Sequence, residues 1–455
     1  MANVLSKKYA KDMTVGDPTK LILSFMLPMM MGNIFQQFYN IVDTIIAGRF
    51  IDAKALAAVG STGHVTNLFF ALANGLATGI GIVISQSFGS GDSKAVKKVI
   101  TNALAMISVT AIFVGLLGFT FSRPVLTYVL KTPEDILENA ITYMSLICIG
   151  FIGTSLYNTI SYIMRGIGDS KTPLYFLIVS SFLNVAMDLI FVIVFNLGVA
   201  GLAIATITAQ ALSATCSITY AFLKNPMFAL EKSDWKLDFD IIKRCYKIGT
   251  SMALQSGLVA MSFVILQRVI NSFDSTIVAA FTATSKVENL VNMQFKALQD
   301  SLSTFTGQNI GAGKRERVKQ GFKTGTTMML IYAAIMIVLM GLFGDVFVKI
   351  FIKSSESEII YYGSRAMRIL SYFYLPLGTI YVCRGILNGS GDAKFPLISG
   401  TSEMIGRIAF PALLCSIPFI GAWGLWISTG ITWTIVGATA FTRYTTRNWD
   451  AASPK

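Results

Sequence analysis

Apolar stretches separated by short connections rich in Gly, Asp, Lys and Pro recur along the chain from Leu21 to Thr442. A helix crossing the hydrocarbon of a bilayer needs about 20 such residues, because each residue adds about 1.5 Å. The pattern predicts twelve transmembrane helices, at roughly 19–48, 55–86, 95–122, 136–164, 173–196, 200–223, 241–271, 277–307, 318–345, 357–386, 394–419 and 422–443. The longest polar connection, Lys224 to Lys247, falls near the middle of the chain. The first twenty residues are polar and have no apolar run followed by a cleavage site, so no removable signal peptide is expected.

Polar residues inside these spans carry the first chemical information. In the first span Asn33, Gln36, Gln37, Asn40 and Asp43 stand at i, i+3, i+4, i+7 and i+10, on one helical face. Lipid offers no hydrogen bonds, so this stripe must face other helices or water. Pro28, earlier in the span, is a candidate kink. The fifth span repeats the idea with Ser180, Asn184 and Asp188, and the sixth adds Thr206, Gln210, Ser213 and Ser217. A charge at the bilayer centre costs about 2.5–3.5 kcal/mol on insertion scales and is retained for a reason. Asp43, Asn184, Asp188 and Thr206 are therefore a candidate cation-coupling set. Two desolvated carboxylates resist ionising together and take up a proton readily, and the same oxygens could hold Na⁺. The competing reading is a polar network that only locks helices together.

An internal repeat runs through the pattern. Residues 85–98, SQSFGSGDSKAVKK, align with 307–320, GQNIGAGKRERVKQ, and the same offset pairs Ala57, Thr62 and Asn67 with Ala279, Thr284 and Asn289. One residue further in offset, Gly166, Gly168, Asp169, Lys171 and Pro173 meet Gly389, Gly391, Asp392, Lys394 and Pro396, and Gly198 and Gly201 meet Gly421 and Gly424. The expected organisation is a first half over 1–223, a linker over 224–240 and a second half over 241–455. Six helices per half, an even number, make the halves parallel and relate them by a pseudo-two-fold axis along the membrane normal.

The second half has no carboxylates matching Asp43 and Asp188. Its buried charges are expected on the eighth span (Lys286, Glu288, Lys296, Asp300) and the eleventh (Glu403, Arg407), where Lys296–Asp300 and Glu403–Arg407 are spaced as i,i+4 pairs. Each pair is either a structural ion pair or part of the transport machinery. The lone histidine, His64, is a possible proton relay or a packed polar residue. A substrate cavity is expected to draw on Gln36, Tyr39, Asn40, Gln255, Asn292, Lys296 and Asp300, with Met and aromatic side chains supplying adaptable apolar walls.

Composition and charge sharpen this picture. Only 13% of the residues are charged and 53% are hydrophobic, with a mean hydropathy of +0.62, against about 25% charged in soluble chains. The net charge of +13 is unevenly placed: alternate connections and the termini hold twenty-five Lys and Arg, the opposite side nine, and three lie inside spans. That asymmetry is the positive-inside rule, which puts both termini in the cytoplasm; the basic balance records topology, and nucleic acid is not an expected partner. The five cysteines have no CxxC spacing and imply neither a disulfide framework nor a metal site. No G-x-x-x-x-G-K-[ST] loop is present, which argues against an ATP-driven pump, and no enzyme activity is expected.

The stretch Asn40–Arg49, NIVDTIIAGR, resembles the first-helix signature of the multidrug and toxic compound extrusion (MATE) family, and the loops GQNIGAG and MRGIGDSKTP are similar to that family's. The resemblance covers nearly the whole chain and lies closest to bacterial members with an acidic cluster in the N-terminal lobe. It implies an all-α integral membrane fold of two six-helix lobes in the plasma membrane. It also implies export of amphipathic, often cationic compounds, including drugs and toxic organics, against entry of H⁺ or Na⁺. Under the resemblance Asp43 matches the first-helix aspartate, Asn184 and Asp188 the fifth-helix N-x-x-x-D, and Thr206 the sixth-helix hydroxyl. Gln255, Ser256 and Gly257 occupy the place of the seventh-helix glutamate of another branch, so a second-lobe cation site of that type is not expected. No cofactor beyond the coupling ion is implied, and a monomer in the bilayer is the expected form. The alternative is a flippase for lipid-linked oligosaccharides or lipids within the same superfamily.

Overall fold

A computed structural model describes residues 10–449. Its elements are helices throughout, with no strand among the described residues. In chain order they are α1 (Pro18–Ile46), α2 (Ala53–Gly89), α3 (Ser93–Pro124), α4 (Glu134–Gly166), α5 (Lys171–Leu189), α6 (Gly198–Lys224), α7 (Phe239–Ile270), α8 (Ser275–Gly311), α9 (Arg315–Lys349), α10 (Ser357–Ser371), α11 (Tyr374–Gly389), α12 (Lys394–Cys415) and α13 (Gly424–Thr446). Among the described residues eight helices are long and apolar enough to cross a membrane, and α10 with α11, bent by 54° at their junction, makes a ninth. The remaining three expected spans, α8, α12 and α13, are 37, 22 and 23 residues long. At 1.5 Å per residue each is long enough for a hydrocarbon layer of about 30 Å. α8 and α12 are less apolar because they carry the ionisable residues noted above, and α13 because it is rich in Thr, Ser and Gly.

The repeat is visible in backbone conformation. Gly91 and Gly313 have φ of +78° and +69°, Gly168 and Gly391 +92° and +75°, Gly198 and Gly421 +56° and +52°. Each aligned pair therefore uses glycine for the same left-handed turn between helices, where a Cβ is disfavoured. The aspartate after the glycine does the same work in both halves. Asp169 Oδ1 accepts from the backbone N–H of Lys171 and Thr172, and Asp392 Oδ1 from those of Lys394 and Phe395, so each satisfies the free donors at a helix start.

The chain forms two compact units. Among the described residues unit 1 comprises 10–13 and Leu27–Ala253, and unit 2 comprises Thr14–Met26 and 254–449. This division crosses the 224–240 linker expected from the repeat, because α1 and α7 are each shared between units. The first part of α7 packs in unit 1, where Gly249 and Ala253 lie against Gly79 and Gly75 of α2 with no room for a Cβ on either glycine of α2. Small residues four apart let two helix backbones approach, which is how helices associate where apolar burial gives no advantage. In unit 2 the start of α1 packs reciprocally: Ser301 Oγ of α8 donates to the Ile22 carbonyl at 3.0 Å. The unit boundary in α1 falls between Met26 and Leu27, beside Pro28, within a helix that continues from Pro18 to Ile46.

Candidate functional site

Unit 1 brings the expected carboxylates together through helix register. Gly32 of α1 abuts Leu177 of α5; three turns further along each helix stand Asp43 and Asp188. Their carboxyl groups lie within electrostatic reach of one another. At the next turn Ile46 and Ala47 pack with Val192 and with Leu202 of α6. Thr206 lies one turn from Leu202, as Asp188 lies about one turn from Val192, so all three helices present polar groups at one level. Ser180 Oγ reaches the Ala209 carbonyl at 3.5 Å, which fixes the antiparallel register of α5 on α6 and sets Asn184 level with Thr206. Both α1 and α5 pass directly into a π-helical turn, Ala47–Ile51 and Ile190–Val194. Such turns leave the regular hydrogen-bond ladder and are frequent at functional sites.

The cluster is rich in acceptors that the protein leaves open. Asp188 is fully buried and Asn184 nearly so. Among the described residues no side chain or backbone N–H reaches Asp43 Oδ1, either oxygen of Asp188, Asn184 Oδ1 or Gln210 Oε1. Two bare carboxylates repel, so their nearness favours uptake of a proton or a cation. Thr206 donates to the Leu202 carbonyl at 3.0 Å, which leaves its lone pairs for such a guest. Tyr143 of α4 lies within electrostatic reach of Asp43, Asp188 and Tyr39. In the sequence Tyr143 is one of many aromatics available for apolar cavity walls; its nearness to the acids depends on α4, which no motif ties to α1. Along α1, Asn40 Nδ2 donates to Gln37 Oε1 at 3.3 Å. The expected amide stripe is thus partly paired within its own helix, and Gln36 and Asn40 are exposed.

The other expected cavity residues lie in unit 2. Gln255 is buried, with no acceptor for Nε2. Asn292 donates to the Glu288 carbonyl and accepts from Tyr381 Oη at 3.1 Å. Lys296 and Asp300 pair at 3.7 Å, with Lys296 about half exposed. Glu288 accepts a 2.7 Å hydrogen bond from the buried Tyr374 hydroxyl. Glu403 is held between Arg407 and Arg384, each at 2.7 Å, and Arg384 also donates to Ser399 Oγ. Arg384 corrects one sequence expectation. Near the end of the tenth predicted span it counts among the twenty-five cations of the connections and termini, yet it sits within α11, mostly buried, closing an ion triad. The side chain of His64 lies outside the described residues. No group of three or more His, Cys, Asp or Glu able to hold a metal ion occurs among the described residues, so any cation at Asp43 and Asp188 would be held by two carboxylates with amide and hydroxyl oxygens.

Bilayer-length helices with carboxylates and amides buried among them define a membrane transport protein. The sequence matches the MatE family twice, over residues 28–190 and again over 251–413, and the chain belongs to that family, which is one of transporters and not of enzymes. The offset between the two matches, 223, is the one that aligns Gly168 with Gly391. Among curated proteins the chain is 29% identical to the probable multidrug resistance protein YpnP of Bacillus subtilis, covering 97% of this chain and 98% of that one. It is 24% identical to the probable multidrug resistance protein NorM of Thermotoga maritima, covering 93% and 91%. Among solved structures, a MOP superfamily transporter from Pyrococcus furiosus superposes with a TM-score of 0.90 at 21% identity, over 98% of each chain. At that identity the likeness concerns the fold.

Proposed function

We propose that the chain is a secondary active multidrug efflux antiporter, exporting amphipathic and often cationic compounds in exchange for H⁺ or Na⁺. The observation that carries this reading is the nearness of Asp43 and Asp188 amid buried acceptors that no donor among the described residues satisfies. Such a site binds a cation reversibly, and it sits where α1 can respond, between Pro28 and the π-helical turn. In the proposed cycle an inward-facing state takes the compound from the cytoplasm or inner leaflet. A cation then enters from outside, occupies Asp43 and Asp188 with Asn184 and Thr206 alongside, and alters α1 so that the compound leaves. An inward potential of about 100 mV contributes about 2.3 kcal/mol per charge moved. The protein works as a monomer in the plasma membrane with both termini in the cytoplasm.

The names of the two bacterial relatives favour multidrug export over a lipid-linked oligosaccharide flippase. The test is dye efflux from proteoliposomes under separately imposed H⁺ and Na⁺ gradients, for the native chain and for Asp43→Asn and Asp188→Asn. Efflux should follow at least one of the two gradients and vanish in both variants. Full gradient-driven efflux in either variant would remove the acid pair from the coupling mechanism.

A further inference from the structure

Unit 2 contains a cavity that the acid pair does not involve. It has a volume of about 520 Å³ and is lined by Arg365, Arg368 and Ile369 of α10, Phe419 and Trp423 of the connection between α12 and α13, and Ile427 in the first turn of α13. The helix that supplies the arginines is sharply two-faced. Ile360, Gly363, Met367 and Leu370 are buried, while Tyr361, Arg365, Arg368 and Tyr372, at i, i+4, i+7 and i+11, are exposed. The cavity therefore joins two guanidinium groups on one wall to an apolar, aromatic wall.

Its position fixes the surroundings. The 416–423 connection and the start of α13 mark one membrane interface, on the side where the sequence places only nine of the chain's cations. Phe419 is 97% exposed and Trp423 packs on Tyr362 at 5.3 Å. A phenylalanine left this bare, next to a tryptophan, is the pattern of an interfacial aromatic belt immersed in lipid. Three other cations of the same side have acidic partners: Arg123 with Glu138, Lys54 with Asp135 and Lys349 with Asp345. No carboxylate lies within ion-pair distance of Arg365 or Arg368 among the described residues, and Arg365 rests on the Tyr361 ring at 4.2 Å. Two exposed guanidiniums one turn apart with no carboxylate partner present paired donors to an anion at the interface.

We propose that this cavity is a binding site for one anionic phospholipid of the surrounding leaflet. Arg365 and Arg368, one turn apart, take the phosphodiester oxygens through their planar forks, a geometry that guanidinium groups favour. Ile369, Ile427 and Phe419 receive the upper part of an acyl chain, and Trp423 stands at the glycerol level. The site lies at the bend between α10 and α11, so an occupied headgroup braces the outer part of that broken span.

The full-length chain, purified in detergent, is titrated with dioleoylphosphatidylglycerol and bound lipids are counted by native mass spectrometry. The native chain should retain one phosphatidylglycerol about tenfold more tightly than phosphatidylcholine, consistent with charge-assisted pairing. Arg365→Gln with Arg368→Gln should lose that molecule, while Lys353→Gln should keep it. A chain-brominated phosphatidylglycerol should also quench fluorescence of the native chain by more than it quenches Trp423→Phe; this comparison leaves both arginines intact, so it decides the matter should the double variant fail to fold. Equal retention in the double variant, equal affinity for phosphatidylcholine, displacement by glycerol 3-phosphate, or no quenching assignable to Trp423 would each overturn the proposal.

Discussion

The two units use one repeated scaffold for opposite electrostatic ends. Ser161, Ser180 and Asn184 of unit 1 align, at the 223 offset, with Arg384, Glu403 and Arg407 of unit 2. Asp188 aligns with Pro411, and Asp43 falls on the apolar Ile265–Leu266. In unit 2 the charges are answered by one another, with both oxygens of Glu403 taken by arginines at 2.7 Å. In unit 1 Asp43 Oδ1 and both oxygens of Asp188 have no hydrogen-bond donor among the described residues. A buried ion triad that closes on itself holds helices in place. An acid pair left open needs a guest. The comparison sets a closed ion triad against an open acid pair in one repeated fold, and the coupling proposed above rests on the second.

The sharpest way to break this comparison is at the acid pair. Asp43→Asn or Asp188→Asn should reduce gradient-driven efflux in proteoliposomes by about a hundredfold or more, equivalent to about 2.7 kcal/mol. Neither should lower the thermal unfolding midpoint, because each removes one of two facing carboxyls. A fall in the midpoint matching the loss of efflux would mean that the pair is structural.

Glu403→Gln should behave in the reverse sense. It leaves two buried guanidiniums without their counter-charge, a change that costs about 3–5 kcal/mol where a buried pair is broken. The expected result is a large drop in unfolding temperature or yield, with the protein that survives still responding to the imposed gradient. Coupling lost at full stability would make the triad a second functional centre.

Tyr374→Phe should have a smaller effect of the same kind. It removes the 2.7 Å donor to the buried Glu288 carboxyl, which costs about 1–3 kcal/mol for a buried group left unsatisfied. Denaturation of the purified protein measures it, and ion preference in the flux assay should not move.

The smallest effect tests whether the repeat is equivalent in its loops. Gly198→Ala and Gly421→Ala introduce a Cβ into open space at φ of +56° and +52°. Each should cost only the left-handed strain, about 1 kcal/mol, and the two thermal shifts should agree. A marked difference would show that the matching turns carry different loads.

Much of the site could be read along single helices. The spacing of Asn33, Gln36, Asn40 and Asp43, and of Ser180, Asn184 and Asp188, puts polar groups on one face whatever the neighbours are. Tyr143 could not be found in this way, since its nearness to the acids depends on where α4 packs. Arg384 was misplaced for a related reason. An arginine near the end of an apolar run looks like a flanking cation until a partner on another helix draws it in.

By itself the sequence determined the membrane solvent, the spans, the repeat and the polar stripes, because hydropathy, helical period and glycine turns are local properties. The tertiary structure decided that Asp43 comes near Asp188, that Glu403 is gripped from two helices, and that α1 and α7 are each shared between units. Those outcomes depend on register between helices distant in the chain, and register is set by close packing at residues such as Gly32, Gly75 and Gly79, whose role becomes evident only when the opposing helix is in place.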